Sequence, residues 1–288
     1  MISITGNKSI LHGHVSCITD IEIITGHTGV IRLMILTITN QKGGVSKTTT
    51  AHNLGMILFH KGFKVLFIDL DPQCNLTYLL SADKTKPTAD QLLQNVTGLK
   101  ESIQVTQSGI YFIAGSTGLT ELTVSLPARK IKEILQPIKH NADFIIIDTP
   151  PALSAITISA ITAADRILIP TTAGSMALSG ILKLSATINE IRNRYNPAVK
   201  ISGILLTRYS QRSVINRQLR SLLEDIALSC NTSIYKTTIR QSVTLDESQA
   251  LQQDLQTYAP MAPITKDYIE FTEEFLKREG LINDKEII

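Results

Sequence analysis

Runs of apolar residues with almost no alternation recur along the chain at 35–38, 64–69, 143–148, 166–170 and 201–207. A strand with one wet face alternates apolar and polar positions. A continuous apolar run is what a strand covered on both faces requires. Between these runs the spacing changes to the helical period. Residues 51–59 are apolar at helical spacing and Gly62 closes that segment, while 176–195 place Ile181, Leu184, Ile188, Ile191 and Tyr195 on one helix face. Helical patterning also covers 88–95, most of 119–139 with breaks at Pro127 and Pro137, 214–228 and 264–277, and shorter strands are expected at 110–113 and 233–239. Strands alternating with helices predict an α/β fold. The sheet is mostly parallel and twisted, with helices on both faces and ligand sites beyond the strands' carboxyl ends.

No repeat or linker interrupts 34–280, so residues 34–288 read as one domain. Residues 1–33 stand apart. An upstream start codon would make them a poorly ordered tail, and the apolar stretches 21–24 and 30–33, separated by Gly26 and Gly29, allow a small hairpin instead. The segment lacks the basic, apolar, small-residue order of a signal peptide.

Composition narrows the classes. An apolar content of 43% supplies a core, and the absence of any run of 18 apolar residues argues against a membrane span. Cys17, Cys74 and Cys230 lie far apart without a C-x-x-C pair, so neither a disulfide framework nor a zinc site is indicated, and a reducing cytosol fits. The net charge of +3 hides an uneven distribution. Residues 183–240 hold ten basic and three acidic side chains, +7, whereas 241–288 hold four and ten, −6. Such asymmetry suggests a basic surface able to meet an acidic partner.

The candidate chemistry sits where strands end. After the run 35–38 comes Thr39-Asn40-Gln41-Lys42-Gly43-Gly44-Val45-Ser46-Lys47-Thr48-Thr49-Thr50, leading into the helical segment. Strand, glycine turn and helix opening with Lys-Thr form a phosphate cradle. Glycines let backbone N–H groups converge on an anion, and the helix N-terminus adds partial positive charge. Lys47 supplies a point charge, and the Thr48 hydroxyl is placed for Mg²⁺. The ordinary G-x-x-x-x-G-K-[ST] pattern fails at both outer glycines, where Gln41 and Ser46 stand. Ser46 obliges the turn to accept a side chain, with a modest effect on binding expected. Asp148 ends its apolar run ahead of Thr149-Pro150-Pro151, as a metal-holding carboxylate does.

Lys-Gly-Gly-x-x-Lys-Thr, with Lys42 five residues before Lys47, is the deviant P-loop of the ParA/MinD family, and the chain resembles ParA/Soj-type partition ATPases over about residues 34–280. Asp69-Leu70-Asp71-Pro72-Gln73 matches that family's second nucleotide motif. The resemblance implies ATP and Mg²⁺ as cofactors. It implies a nucleotide site from Lys42, Gly43, Gly44, Val45, Ser46, Lys47, Thr48 and Thr49, and metal ligation through Thr48, Asp69 and Asp148. Asp71 would position the attacking water beside Lys42 and Lys47. Lys42 would reach the other subunit's nucleotide in a homodimer, and 149–151 would sense the γ-phosphate. The segment 203–209 resembles the strand that borders adenine, which makes Arg208 the base-side candidate. The family's usual Ile-Pro-Arg is altered at Thr238-Ile239-Arg240.

Arg212, Arg217 and Arg220, whose spacing would let them share one helix face, with Lys236 and Arg240, are candidates for sequence-independent DNA contacts. The acidic tail lacks the basic amphipathic pattern of membrane-held relatives, and Cys74 is not placed to bridge a cluster between subunits. The resemblance thus implies a cytoplasmic, nucleoid-associated ATPase, stimulated by a ParB-like centromere-binding protein, that partitions a plasmid, chromosome or mobile element. The alternative is a nucleotide-dependent scaffold that positions a protein cargo without binding DNA.

Overall fold

The sheet is assembled from the apolar runs in an order that differs from their order in sequence. The computed structural model describes residues 33–138 and 141–282. The readings for residues 1–32, with the Cys17 thiol and the last residue of 119–139, lie outside the described residues.

The chain enters with β1 (Met34–Ile38), helix α1 (Lys47–His60) and β2 (Val65–Asp69). Four short helices and a hairpin follow: α2 (Asn75–Leu79), α3 (Ala89–Leu93), α4 (Leu99–Ser102), β3 (Ile103–Val105), β4 (Tyr111–Ile113) and α5 (Leu119–Leu122). Next come α6 (Lys130–Leu135) running into a 3₁₀ turn, β5 (Phe144–Asp148), α7 (Ala155–Ala163), β6 (Arg166–Thr172) and α8 (Ser175–Arg194). The remainder is β7 (Lys200–Thr207), α9 (Val214–Ser229), α10 (Val243–Ala250), α11 (Leu255–Tyr258) and α12 (Pro263–Arg278). The seven strands lie in the order β3-β4-β2-β5-β1-β6-β7. All pairs are parallel except β3 with β4.

The two-residue period of a strand explains how unbroken apolar runs serve two faces. Leu36, Ile38, Phe144 and Ile146 join Leu54, Ile57, Tyr268, Phe271 and Phe275 in a core under α1 and α12. Their neighbours Ile35, Ile145 and Ile147 point to the other face, with Leu92, Ile131, Ile156 and Ala160. A third cluster on β6 and β7 packs Ile167, Ile169, Ile204 and Leu206 against Ile181, Leu184, Ile188 and Leu223. Close approach of α1 to the sheet depends on Gly55. A Cβ there would stand 2.2 Å from the Phe67 ring and 2.8 Å from Ile146, separations only glycine avoids. Pairing places Asp69 opposite Asp148 in register, so two carboxylates end adjacent strands.

Two readings are corrected. Residues 233–239 are not a strand: a single bridge joins Ile234 to Ile204. The ladder fails because the N–H groups of Lys236 and Thr237 donate to the Glu274 carboxylate at 2.8 Å each instead of to β7. The helical stretch after Leu119 breaks at Pro127 as expected, falling into two helices. Arg212 precedes α9 and does not share its face with Arg217 and Arg220.

Candidate functional site

β1 exits into the loop 39–46, and backbone geometry decides what that loop can do. Gly44 has φ 69° and Ser46 has φ 62°, so both sit in the left-handed region, which costs a side-chain-bearing residue about 1 kcal/mol. Ser46 is the N-cap of α1 but makes no capping bond through its side chain. The first-turn N–H groups of α1 therefore face outward beneath the loop.

Distant residues hold this loop. The Asn40 amide donates to the Pro170 carbonyl at 2.8 Å and accepts the Lys42 N–H at 3.0 Å. The Thr207 hydroxyl lies 3.3 Å from the Val45 carbonyl and 3.2 Å from that of Thr171. Gln249, on α10, donates to the Thr49 hydroxyl at 3.0 Å. Asn40, Thr207 and Gln249 escaped sequence reasoning. Asn40 and Thr207 lay inside stretches quoted for other reasons, and the roles of Thr207 and Gln249 come from tertiary contact.

The two lysines of the loop diverge. Lys47 is buried, with Nζ donating to the Lys42 carbonyl at 3.3 Å. Burial pulls its pKa down, opposed by Asp148 and Asp71. The Lys42 ammonium lies instead beside Gly174, where an added Cβ would stand 3.9 Å from it. Gly174 caps the N-terminus of α8, an end whose partial positive charge makes it a poor resting place for a cation.

Three carboxylates close the site. Asp148 is fully buried. Its Oδ2 accepts the Thr48 hydroxyl proton at 2.6 Å, and its Oδ1 has no hydrogen-bond partner among the described residues. Burial raises its pKa well above the ordinary value, with the nearby Asp69 adding, and the Thr48 bond and Lys47 opposing. A hydroxyl and a carboxylate with an unmatched buried oxygen fit Mg²⁺, which takes few protein ligands and keeps much of its water. Asp69 is placed differently: Oδ1 accepts the Asp71 N–H at 3.1 Å, while Oδ2 accepts the Thr77 N–H at 2.8 Å and hydroxyl at 2.6 Å. Burial raises it to about 6 against those bonds. Asp69 thus ties the loop after β2 to α2. Asp71 keeps Oδ1 on the Gln73 N–H at 3.0 Å and lies close enough to Lys47 to act on its charge. Thr149 donates to the Ile38 carbonyl at 2.9 Å, and Pro151 lies against Gly43. The structure therefore brings Lys42, Lys47, Thr48, Asp69, Asp71 and Asp148 to one end of the central strands.

The basic candidates lie elsewhere. Arg208, Arg212, Lys236 and Arg240 line a cavity of about 910 Å³ together with Asp267 and Glu270. Arg240 forks onto Asp267 at 2.6 and 2.7 Å, which raises its pKa. Arg220 pairs with Glu224 at 3.0 Å, and Arg217 donates to the Gln211 and Arg212 carbonyls. Arg212 and Lys236 make no ion pair among the described residues.

His52, buried on α1, gives the site's support a pH dependence. Burial lowers its pKa to about 4, with Asp254 opposing. An unfolded histidine takes its proton near 6.5, so the native state loses stability as pH falls from about 6.5 to 4. Asp69, raised to about 6, acts in the opposite sense over that range. The comparison with a His52→Gln variant isolates the histidine. From pH 7.5 to 5, the variant's thermal midpoint should gain on the wild type's, and parallel profiles would contradict the assignment.

A parallel sheet with this strand order, a glycine turn opening α1 with Lys-Thr, and an aspartate at the end of the neighbouring strand define a P-loop nucleotide-binding ATPase. A family model described as an AAA domain matches residues 33–201. The chromosome partitioning protein ParA of Caulobacter vibrioides is 30% identical over 257 residues, 86% of this chain and 95% of that one. The sporulation initiation inhibitor protein Soj of Bacillus subtilis is 33% identical over 83% of this chain and 97% of its own length. Among solved structures, cobyrinic acid a,c-diamide synthase from Mycobacterium smegmatis with bound ATP analog and magnesium superposes with a TM-score of 0.74 at 26% identity, covering 86% of this chain and 95% of that one. The chain belongs to the ParA/Soj family of partition ATPases.

Proposed function

We propose that this chain is a partition switch that binds Mg²⁺ and ATP in the loop 39–49, pairs with a second copy around the nucleotide, holds DNA without reading its sequence, and lets go on hydrolysis. The observation that carries the reading is the divergence of the two lysines. Lys47 is enclosed at its own loop, whereas Lys42 of the same loop extends to the start of α8. A cation held there is available to a second molecule's phosphates, so pairing of subunits would report which nucleotide is bound.

In this reading the helix α1 N-terminus and Lys47 neutralise the phosphates. Thr48 and Asp148 hold Mg²⁺, which supplies charge neutralisation at the transferring phosphoryl group. Asp71 orients water and Asp69 braces the Asp71 loop through Thr77. Arg208 borders the base. Among the described residues no helix is long and apolar enough to cross a membrane, and the proposed setting is the cytoplasm, on the nucleoid. Relatives named for chromosome partitioning support a ParB-like, centromere-binding stimulator.

Arg212 and Lys236 are the foremost DNA candidates because neither is committed to an acidic side chain among the described residues. Arg217, Arg220 and Arg240 would contribute to the same field. Retention of duplex DNA on filters should require ATP, not ADP, and weaken steeply between 50 and 200 mM salt, as phosphate contacts do. The double variant Arg212→Glu/Lys236→Glu should lose retention while keeping ATP affinity. No ATP-linked retention by the wild type at any salt would favour a scaffold that positions protein cargo.

A further inference from the structure

We propose that Gln249 is a positioning residue of the nucleotide site, fixing the proton of the Thr49 hydroxyl so that it points outward to a phosphate oxygen. The proposal rests on the reading of α1 as the phosphate-binding helix and adds a residue from the far end of the chain.

The contact spans 200 positions in sequence. A hydroxyl owns one proton and two lone pairs, whereas an amide nitrogen only donates. With Gln249 Nε2 donating at 3.0 Å, the Thr49 oxygen is an acceptor on that side, and its proton must go elsewhere. Thr49 lies in the first turn of α1, directly after the Thr48–Asp148 pair, where N–H groups and Lys47 already gather positive charge. A donor hydroxyl there adds to the anion site. A hydroxyl turned the other way would present a lone pair and oppose it.

Gln249 is itself held from two sides. Ser248 beside it is buried and donates to the Leu245 carbonyl at 2.9 Å, and Leu245 packs on the core under α1. At the end of α10, the Ala250 carbonyl accepts the Tyr78 hydroxyl at 3.4 Å, and Gln252 donates to the Tyr78 carbonyl at 2.5 Å. Tyr78 belongs to α2, the helix that Asp69 ties down through Thr77. The helix end that carries the Gln249 amide is therefore held by elements already joined to the site.

The test uses calorimetric titration of the full chain with Mg²⁺ and ADP, which avoids any contribution from hydrolysis. Gln249→Met keeps length and removes the donor; ADP affinity should fall roughly fivefold, the worth of one hydrogen bond. Gln249→Glu accepts the Thr49 proton and adds negative charge, and should cost roughly fiftyfold. In a Thr49→Val background, Gln249→Met should change affinity less than about twofold, because its effect passes through the missing hydroxyl. Thermal melts without nucleotide should be nearly unchanged for Gln249→Met. Wild-type affinity in Gln249→Met, or the same fold loss in both backgrounds, would overturn the positioning role. Undiminished ADP affinity in Lys47→Ala would instead overturn the phosphate-site reading, and this proposal with it.

Discussion

Asp71→Ala should lower single-turnover ATP hydrolysis by roughly 100-fold or more while leaving ATP affinity within a few-fold of the wild type. The side chain lies where β2 gives way to α2, mostly buried, with Oδ1 spent on the Gln73 N–H. Its other oxygen has no hydrogen-bond partner among the described residues and is free to accept from water. Its charge acts on Lys47, which sets it beside the loop. Phosphoryl transfer needs an in-line water more than a strong base, and losing the group that aims the water removes an interaction made in the transition state. Quenched-flow assays with the enzyme saturating and in excess over ATP measure this directly. Equal rates in variant and wild type would assign water positioning to another group.

The wild type should double its mass in light scattering when ATP is added, and Lys42→Ala should abolish that change, weakening self-association by about 100-fold, the cost of leaving phosphate charge unpaired in an interface. Affinity for ADP by the single chain should change little, because Lys47 and the N–H groups of α1 do not depend on the Lys42 side chain. Only the Lys42 carbonyl touches Lys47, and that carbonyl survives the substitution. The contrast with Lys47→Ala, which should remove binding of both nucleotides, separates a lysine serving its own loop from one serving a neighbour. A dimer of undiminished stability in Lys42→Ala would end the assignment.

The chemistry of the loop was legible because its residues are contiguous and their types are dictated by backbone conformation and charge. Lys47, Thr48 and Asp148 were recognisable for that reason, and the buried runs located five adjacent strands of the parallel array, β2, β5, β1, β6 and β7. What escaped notice had no local signal. Helix α7 is apolar all round, Ala-Ile-Thr-Ile-Ser-Ala-Ile-Thr-Ala, so no face stands out in its sequence. β3 is three residues long and gains its identity from pairing with β4. Residues 233–239 have strand composition, yet Glu274, some 37 positions on, takes their N–H groups. Gln249 and Thr207 carry no mark of their role, since both donate hydrogen bonds to loop and helix atoms that only the fold brings near. Asp69 shows the converse case. The resemblance implied a metal ligand there, and its oxygens also accept three protein hydrogen bonds that organise the loop and the next helix.

The irregular segment laid along β7 has a consequence for solubility. An open parallel sheet ends in rows of unsatisfied peptide groups that template strand addition by other copies. Here Glu274 pins the segment over one border, where it meets β7 through Ile204 and Leu206 but keeps no ladder of its own. The opposite border is only three residues long. Among the described residues, neither border offers a long template for fibril growth, so copies of this chain can be concentrated without their sheets fusing.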